Sequence, residues 1–261
     1  MIHLLKIEWL KLRRYTTFWV LIGLFAALYT MWNYGVAKSF VQMGGGPVNL
    51  MSSSYAFPAV WGNMGFIYSW FVFFLAIFII ISISNEFTFR THRQHIIDGM
   101  HRLDFLHAKV GLVISISLLS TLFYAILALL FGFINGGGNP LQDIEKIGYV
   151  FIYTLNYLSF SALITFYIRR SGLAIVILFA YLLFETIFVK LINYKLDTNY
   201  GNLFPLQSSD ELLPLNALKS LSNMMPSTVA EVSVWIYLVA SFIYIVLYYF
   251  IVRRKILTSD L

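Results

Sequence analysis

Six apolar runs, each long enough to cross a bilayer as a helix, limit what this chain can become more than any other feature of it. A hydrocarbon core of roughly 30 Å takes about 20 residues of helix. Thr17–Ala37, Val60–Ser84, Val110–Ile134, Tyr149–Ile168, Ser171–Val189 and Val232–Val252 meet that length, and one charge, Glu185, falls within them. Lipid offers no water to backbone N–H and C=O groups, so each run must satisfy its own as a helix. A membrane barrel would alternate apolar and polar residues, and these runs do not. With 59% hydrophobic and 11% charged residues, the chain has too little polar surface for a water-soluble globule of 261 residues. The expectation is an all-α polytopic membrane protein, a single transmembrane domain over residues 1–261.

Charge placement then sets the orientation. The net charge of +6 would suit a nucleic-acid binder, but basic residues in a membrane chain collect at the cytoplasmic ends of spans. With the N-terminus inside, the inner segments hold Lys6, Lys11, Arg13, Arg14, Arg90, Arg93, Arg102, Lys109, Arg169, Arg170, Arg253, Arg254 and Lys255. The outer segments hold only Lys38, Lys146, Lys190, Lys195 and Lys219. Both termini are therefore expected in the cytoplasm of a cell-membrane protein, and no nucleic-acid partner is required by the charge. Cysteine is absent, which removes disulfides, thiolate metal sites and cysteine nucleophiles together.

The N-terminus is basic and precedes an apolar run, as a secretion signal would be, but that run exceeds the usual signal core of about 7–15 residues. It reads as a retained anchor. Ahead of it, Ile2, Leu5, Trp9 and Leu12 recur at helical spacing, while Lys6, Arg13 and Arg14 fall largely elsewhere. Residues 1–16 are thus expected to form a basic amphipathic helix on the inner membrane surface. On the outside, "QMGGGPVN" and "NGGGNP" are glycine-rich turns, with no Gly-Lys-Ser/Thr to make either a phosphate loop. Residues 190–231 form the longest outer segment and contain apolar pieces, "LLPLNALKSLSNMM" among them, too short to span but able to re-enter or pack over the bundle mouth. Thr228 and Glu231 stand at capping-box spacing before the last span.

Between the second and third spans lies a polar island, "NEFTFRTHRQHIIDGMHRLDFLHAK", residues 85–109. Its length allows two short helices and a turn. Phe89, Ile96 or Ile97, and Met100 recur at roughly helical spacing, with Arg90, Arg93 and Gln94 facing elsewhere. Gly99 suits a helix C-cap, and His101 precedes Asp104 at capping-box spacing, although histidine is a poor cap.

This island, together with "LLKIEWLKLRR" before the first span and six spans in all, resembles the type 2 permease subunits of ATP-binding cassette transporters. The topological likeness covers the whole chain, and the likeness in sequence rests on these two stretches. Members of that family carry an acid at the inner end of the second span, a basic coupling helix, and Ser-Arg followed by a Lys entering the third span. Glu86, Arg90–Gly99, Arg102 and Lys109 stand in those places, while His101 replaces the serine. The resemblance implies the permease half of an exporter. A separate ATPase would bind a cytoplasmic coupling helix through Glu86, Phe89, Arg90, Arg93, Ile96, Asp98, Gly99, Met100, Arg102 and Lys109. A second permease copy or a homologous permease would complete the substrate path. In physical terms the arginines would pair with acids on the ATPase and the apolar residues would fill its groove, with Glu86 pairing a local Arg or capping a helix. The chain has no G-x-x-x-x-G-K-[ST], so ATP and Mg would be held by the partner, and the chain would be no enzyme itself.

Other chemistry is drawn on some of the same residues. His92 and His95, with His101, His107, Asp98 or Asp104, have the residue types of a metal site but lack a tight zinc motif. Glu185, the one intramembrane acid, is either a functional site or a carboxylate snorkelling to the interface near Lys190. As a site it would make the chain a secondary transporter, a channel or an intramembrane enzyme. Asn156 and the serines of "ISISLLS" are candidates for interhelical hydrogen bonds, and the aromatics near span ends, including Trp61, Trp70 and Tyr248–Tyr249, for belts at the headgroups.

Overall fold

The structure, a computed structural model, describes residues 2–38, 55–89, 91, 101–136, 138–214 and 232–258. Among these the chain is helical with no strand. Helix α1, Ile2–Arg13, leads into α2, Thr16–Ala37, followed by α3, Ala59–Thr88, α4, Arg102–Ile134, α5, Glu145–Ile168, and α6, Ser171–Leu196. A 3₁₀ turn, Tyr200–Leu203, a four-residue helix α7, Gln207–Asp210, and α8, Val234–Thr258, complete the order. Helices α2, α3, α4, α5, α6 and α8 are each long and apolar enough to cross a membrane, which makes this a multi-pass membrane protein.

All six predicted spans are present, and several run beyond their expected limits. Helix α3 continues to Thr88 and α4 starts at Arg102, so both ends of the island 85–109 belong to the spans. Nothing in Asn85–Thr88 or Arg102–Lys109 breaks a helix, and polar residues continue one readily once an apolar span has nucleated it. Likewise α5 begins at Glu145, α6 continues to Leu196 with Lys190 and Lys195 exposed, and α8 carries its basic cluster to Thr258. The chain enters α4 through an extended His101 that makes no side-chain cap bond, as a weak capping residue would. Arg90, His92, Arg93, His95, Ile96, Asp98, Gly99, Met100, the first glycine-rich turn and the Thr228–Glu231 capping box lie outside the described residues.

Helix α5 sits at the centre, packed against α3, α4, α6 and α8, with α2 on the outer side of α3. A buried polar knot holds the middle: Tyr68 Oη donates to Ser120 Oγ at 2.9 Å and lies 2.9 Å from Thr154 Oγ1, joining α3, α4 and α5. Ser120 thus makes the expected interhelical bond, whereas Ser115 and Ser117 donate to carbonyls of their own helix. Trp61, expected in a headgroup belt, is buried instead, its ring near Tyr124 and its Nε1 donating to Pro140 O at 3.2 Å. Tyr248 is buried too, against Phe160. Both turn inward because a bundle with this many aromatics uses them to fill space between helices as well as at its rim.

Gly132 of α4 faces the ring of Phe57 so closely that a Cβ there would overlap it. Phe57 is boxed by Trp61 at 5.8 Å and Phe133 at 5.3 Å between ring centroids, so it has little room to yield. Gly132→Val is expected to cost roughly 1–3 kcal/mol, seen as a lower unfolding temperature in detergent, with Phe57→Ala in the same chain recovering part of the loss.

Candidate functional site

The α1 end of the bundle carries an ion network that links three elements. Helix α1 contributes Glu8 and Lys11, the end of α3 contributes Glu86, and the second turn of α4 contributes Lys109. Lys109 Nζ lies 2.7 Å from Glu8 Oε2 and 2.5 Å from Glu86 Oε1, and only 1% of its side chain is exposed. Lys11, its side chain 35% exposed, reaches Glu86 Oε1 at 3.1 Å and Glu8 Oε1 at 3.3 Å through Nζ. Two carboxylates and two ammonium groups therefore balance in one place. The Phe105 ring, one helical turn before Lys109, lies 5.8 Å beneath its ammonium. Burial pulls the Lys11 ammonium down in pKa, but Glu86 and Glu8 outweigh it and leave it above its ordinary value. A recess of about 230 Å³ beside Lys11, Tyr15, Asn85 and Glu86 explains why water reaches Lys11 while Lys109 is sealed.

Local sequence accounts for the placement. Glu8, Lys11 and Leu12 follow helical spacing, and Glu8 and Leu12 are the buried positions among the described side chains of α1. Of the expected face, Leu12 is buried and Trp9 is 48% exposed with its ring edge on Phe18, while the side chains of Ile2 and Leu5 lie outside the described residues. Arg13 and Arg14 stay exposed as expected. The turn into α2 is tied down by Asn85 Nδ2, which donates to Tyr15 Oη at 2.8 Å, and by Trp19 Nε1, which donates to Arg13 O at 3.1 Å.

Of the described residues assigned to the island's surface, Phe89 is 72% exposed and Arg102 is half-buried. Glu86 and Lys109 are interior, bonded to each other, so they fix the two roots of the loop rather than present themselves on its surface. The partners of Glu86 include Lys109 and Lys11, where a local Arg or a helix N-terminus was expected. Glu8 and Lys11 were missed as site residues. The one available signal was an acid set among the lysines and arginines of a basic helix, with a lysine three residues on. His107 lies against Tyr249, its Nε2 3.2 Å from the phenol oxygen.

The family model that matches this chain, over residues 19–261, is described as a protein of unknown function, DUF2705. The chain belongs to the DUF2705 family. Within the DUF2705 region fall Glu86, Lys109 and Glu185, while Glu8 and Lys11 precede it. No curated protein matches the chain.

The opposite end of the bundle has its own buried polar cluster. Glu185 is 3% exposed, although its helix neighbours Leu183, Phe184 and Ile187 are each at least 60% exposed. Its Oε1 accepts the backbone N–H groups of Leu206 at 2.8 Å and Gln207 at 3.2 Å. Snorkelling is thereby corrected: the segment after α6 folds back into the bundle mouth, and its unpaired amides attract the carboxylate inward. Asn156 serves the same segment, donating to Pro205 O at 2.7 Å and Ser209 Oγ at 3.0 Å, in place of a helix-to-helix bond. Leu212 and Leu213 are buried, Leu213 against Gly65, as expected for apolar pieces that pack over the mouth.

Proposed function

We propose that this DUF2705 protein is the permease subunit of an ATP-driven exporter of the ATP-binding cassette type. A separate ATPase drives it from the cytoplasm, and a second permease completes the substrate path. The observation that carries this reading is the Glu8–Lys109–Glu86–Lys11 network. A motor that grips a loop moves spans only if the loop's roots are stiff. Here both roots, the end of α3 and the start of α4, are fastened to each other and to α1 by buried ion pairs. A push on residues 90–100 would travel into α3, α4 and α1 together, which suits rigid-body switching between access states. Phe89, exposed beside that loop, adds an apolar contact for a partner.

The basic count at the α1 end favours a cytoplasmic location for both termini and for this loop. The rival reading, a secondary transporter, channel or intramembrane enzyme built on Glu185, is less well supported. One oxygen of that carboxylate is occupied by two backbone amides, and its role there is to hold a loop.

The test is to tag the protein, extract it gently and identify what co-purifies while assaying ATP hydrolysis. An ATPase chain is expected to remain bound and to be lost, by at least tenfold in yield, when Arg90 and Arg93 become Glu. Intact complexes with no nucleotide-binding chain would overturn the proposal.

A further inference from the structure

Helices α4, α5 and α8 line a groove of about 100 Å³ toward the α1 end of the bundle. Leu106, Val113, Ala162, Phe166 and Val252 are buried in it, and Val110, Ile114, Ile245 and Tyr249 are half-buried along its rim. The lining is mainly apolar, and its one charged residue, Lys109, has its ammonium taken by Glu8 and Glu86. It runs from Leu106 to Ile114 on α4 and from Val252 back to Ile245 on α8. At 1.5 Å of rise per residue the groove therefore follows the helices for roughly 10–12 Å. That is most of the hydrocarbon depth of one leaflet, about 15 Å.

The groove ends in positive charge. Arg102 stands one helical turn before Leu106 on the same face of α4, exposed Arg253 directly follows Val252 on α8, and exposed Arg170 follows the end of α5. The acid in the first turn of α4, Asp104, is about 200° around the helix from Leu106 and so lies on the other side. His107 and Tyr249 join the two walls at this end, with Nε2 3.2 Å from the phenol oxygen and the rings stacked at 6.4 Å between centroids. Tyr249 precedes Arg253 by one turn, about 6 Å along the axis, which matches the roughly 5–7 Å of headgroup region on one side of a bilayer. With Arg253 at the level of the phosphates, the groove below Tyr249 lies in hydrocarbon.

We propose that this groove binds one anionic phospholipid of the surrounding bilayer, with an acyl chain lying along α5 between α4 and α8 and the phosphate between Arg102 and Arg253. An apolar groove left empty forfeits dispersion contacts along its whole lining, and a flexible chain of methylenes restores them in a space this long and narrow. A soluble polar ligand would leave its own polar groups without partners there. The arginines select the headgroup: each favours an anionic over a zwitterionic lipid by roughly fivefold. The inference does not depend on the transport reading.

Native mass spectrometry tests this on the full chain in detergent, supplied with equal amounts of palmitoyl-oleoyl phosphatidylglycerol and the matching phosphatidylcholine. One phosphatidylglycerol per chain is expected, retained at least tenfold over phosphatidylcholine. Arg102→Gln together with Arg253→Gln is expected to bring the two lipids within twofold of each other. Ser159→Phe, which places a ring on the groove floor, is expected to lower phosphatidylglycerol retention at least fivefold. Ile245→Trp on the rim obstructs the same space and keeps the test open if Ser159→Phe fails to fold, as read from the unfolding midpoint in detergent. Excess inorganic phosphate at constant ionic strength is expected to leave the lipid in place, since the chain and not the phosphate alone is held. The inference is overturned by equal retention of the two lipids, by a preference that survives loss of both arginines, by unchanged retention in the obstructed variants, or by displacement with phosphate.

Discussion

Lys109→Met is expected to lower stability by roughly 3–5 kcal/mol, the usual cost of removing one partner from a buried ion pair. Methionine nearly matches the lysine in size, so packing changes little. What changes is that Glu8 and Glu86, previously 2.7 and 2.5 Å from the same ammonium, face each other with Lys11 as the remaining cation of the network, and Lys11 is partly in water. The measurement is the unfolding midpoint in detergent, by intrinsic fluorescence or static light scattering. A triple variant, Lys109→Met with Glu8→Gln and Glu86→Gln, is expected to regain most of the loss, because it removes the stranded charges. Wild-type stability in Lys109→Met alone would mean that the network does not root α1, and the mechanical basis of the proposed coupling would fail with it. Stability regained in the triple variant without activity would separate the fold from the coupling.

Glu185→Ala is expected to leave the amides of Leu206 and Gln207 without an acceptor in a buried place, at roughly 1–3 kcal/mol for each donor. The loss should be local before it is global, so hydrogen exchange at those two amides is the sensitive readout, with protection falling at least tenfold. Glu185→Gln keeps a carbonyl oxygen where the carboxylate oxygen was and is expected to retain most of the protection. The pair of variants also discriminates function. If Glu185 carried protons or catalysed a reaction, Gln would abolish activity as completely as Ala while the protein still assembled. If it only holds the loop, Gln would be close to neutral.

How much of this was legible in the sequence differs between the fold and the site. The six spans follow from hydrophobic length alone, since in lipid an apolar run of that length has no alternative to a helix. The charge asymmetry, the presence of an N-terminal helix and the re-entry of an apolar stretch after α6 were readable on the same grounds. Their ends were not, because polar residues such as Asn85–Thr88 and Arg102–Lys109 are compatible with both helix and loop, and the choice depends on what they pack against.

The site depended still more on tertiary structure. Glu8, Glu86 and Lys109 are up to 101 residues apart, and no periodicity relates them. A basic amphipathic helix was expected on the inner membrane surface, and its spacing gave no sign that Glu8 would be buried against Lys109, because a charge enters the bundle only where a counter-charge from another helix meets it. Glu185 could be recognised as unusual from sequence but not interpreted, since its partners are backbone amides that carry no sequence signature. The sequence by itself determined that this chain crosses the membrane six times and where its positive charge lies, for those depend on solvent and composition. Only the tertiary structure decided which charges meet, because pairing in a low dielectric is fixed by distances of a few ångströms that the linear order does not contain.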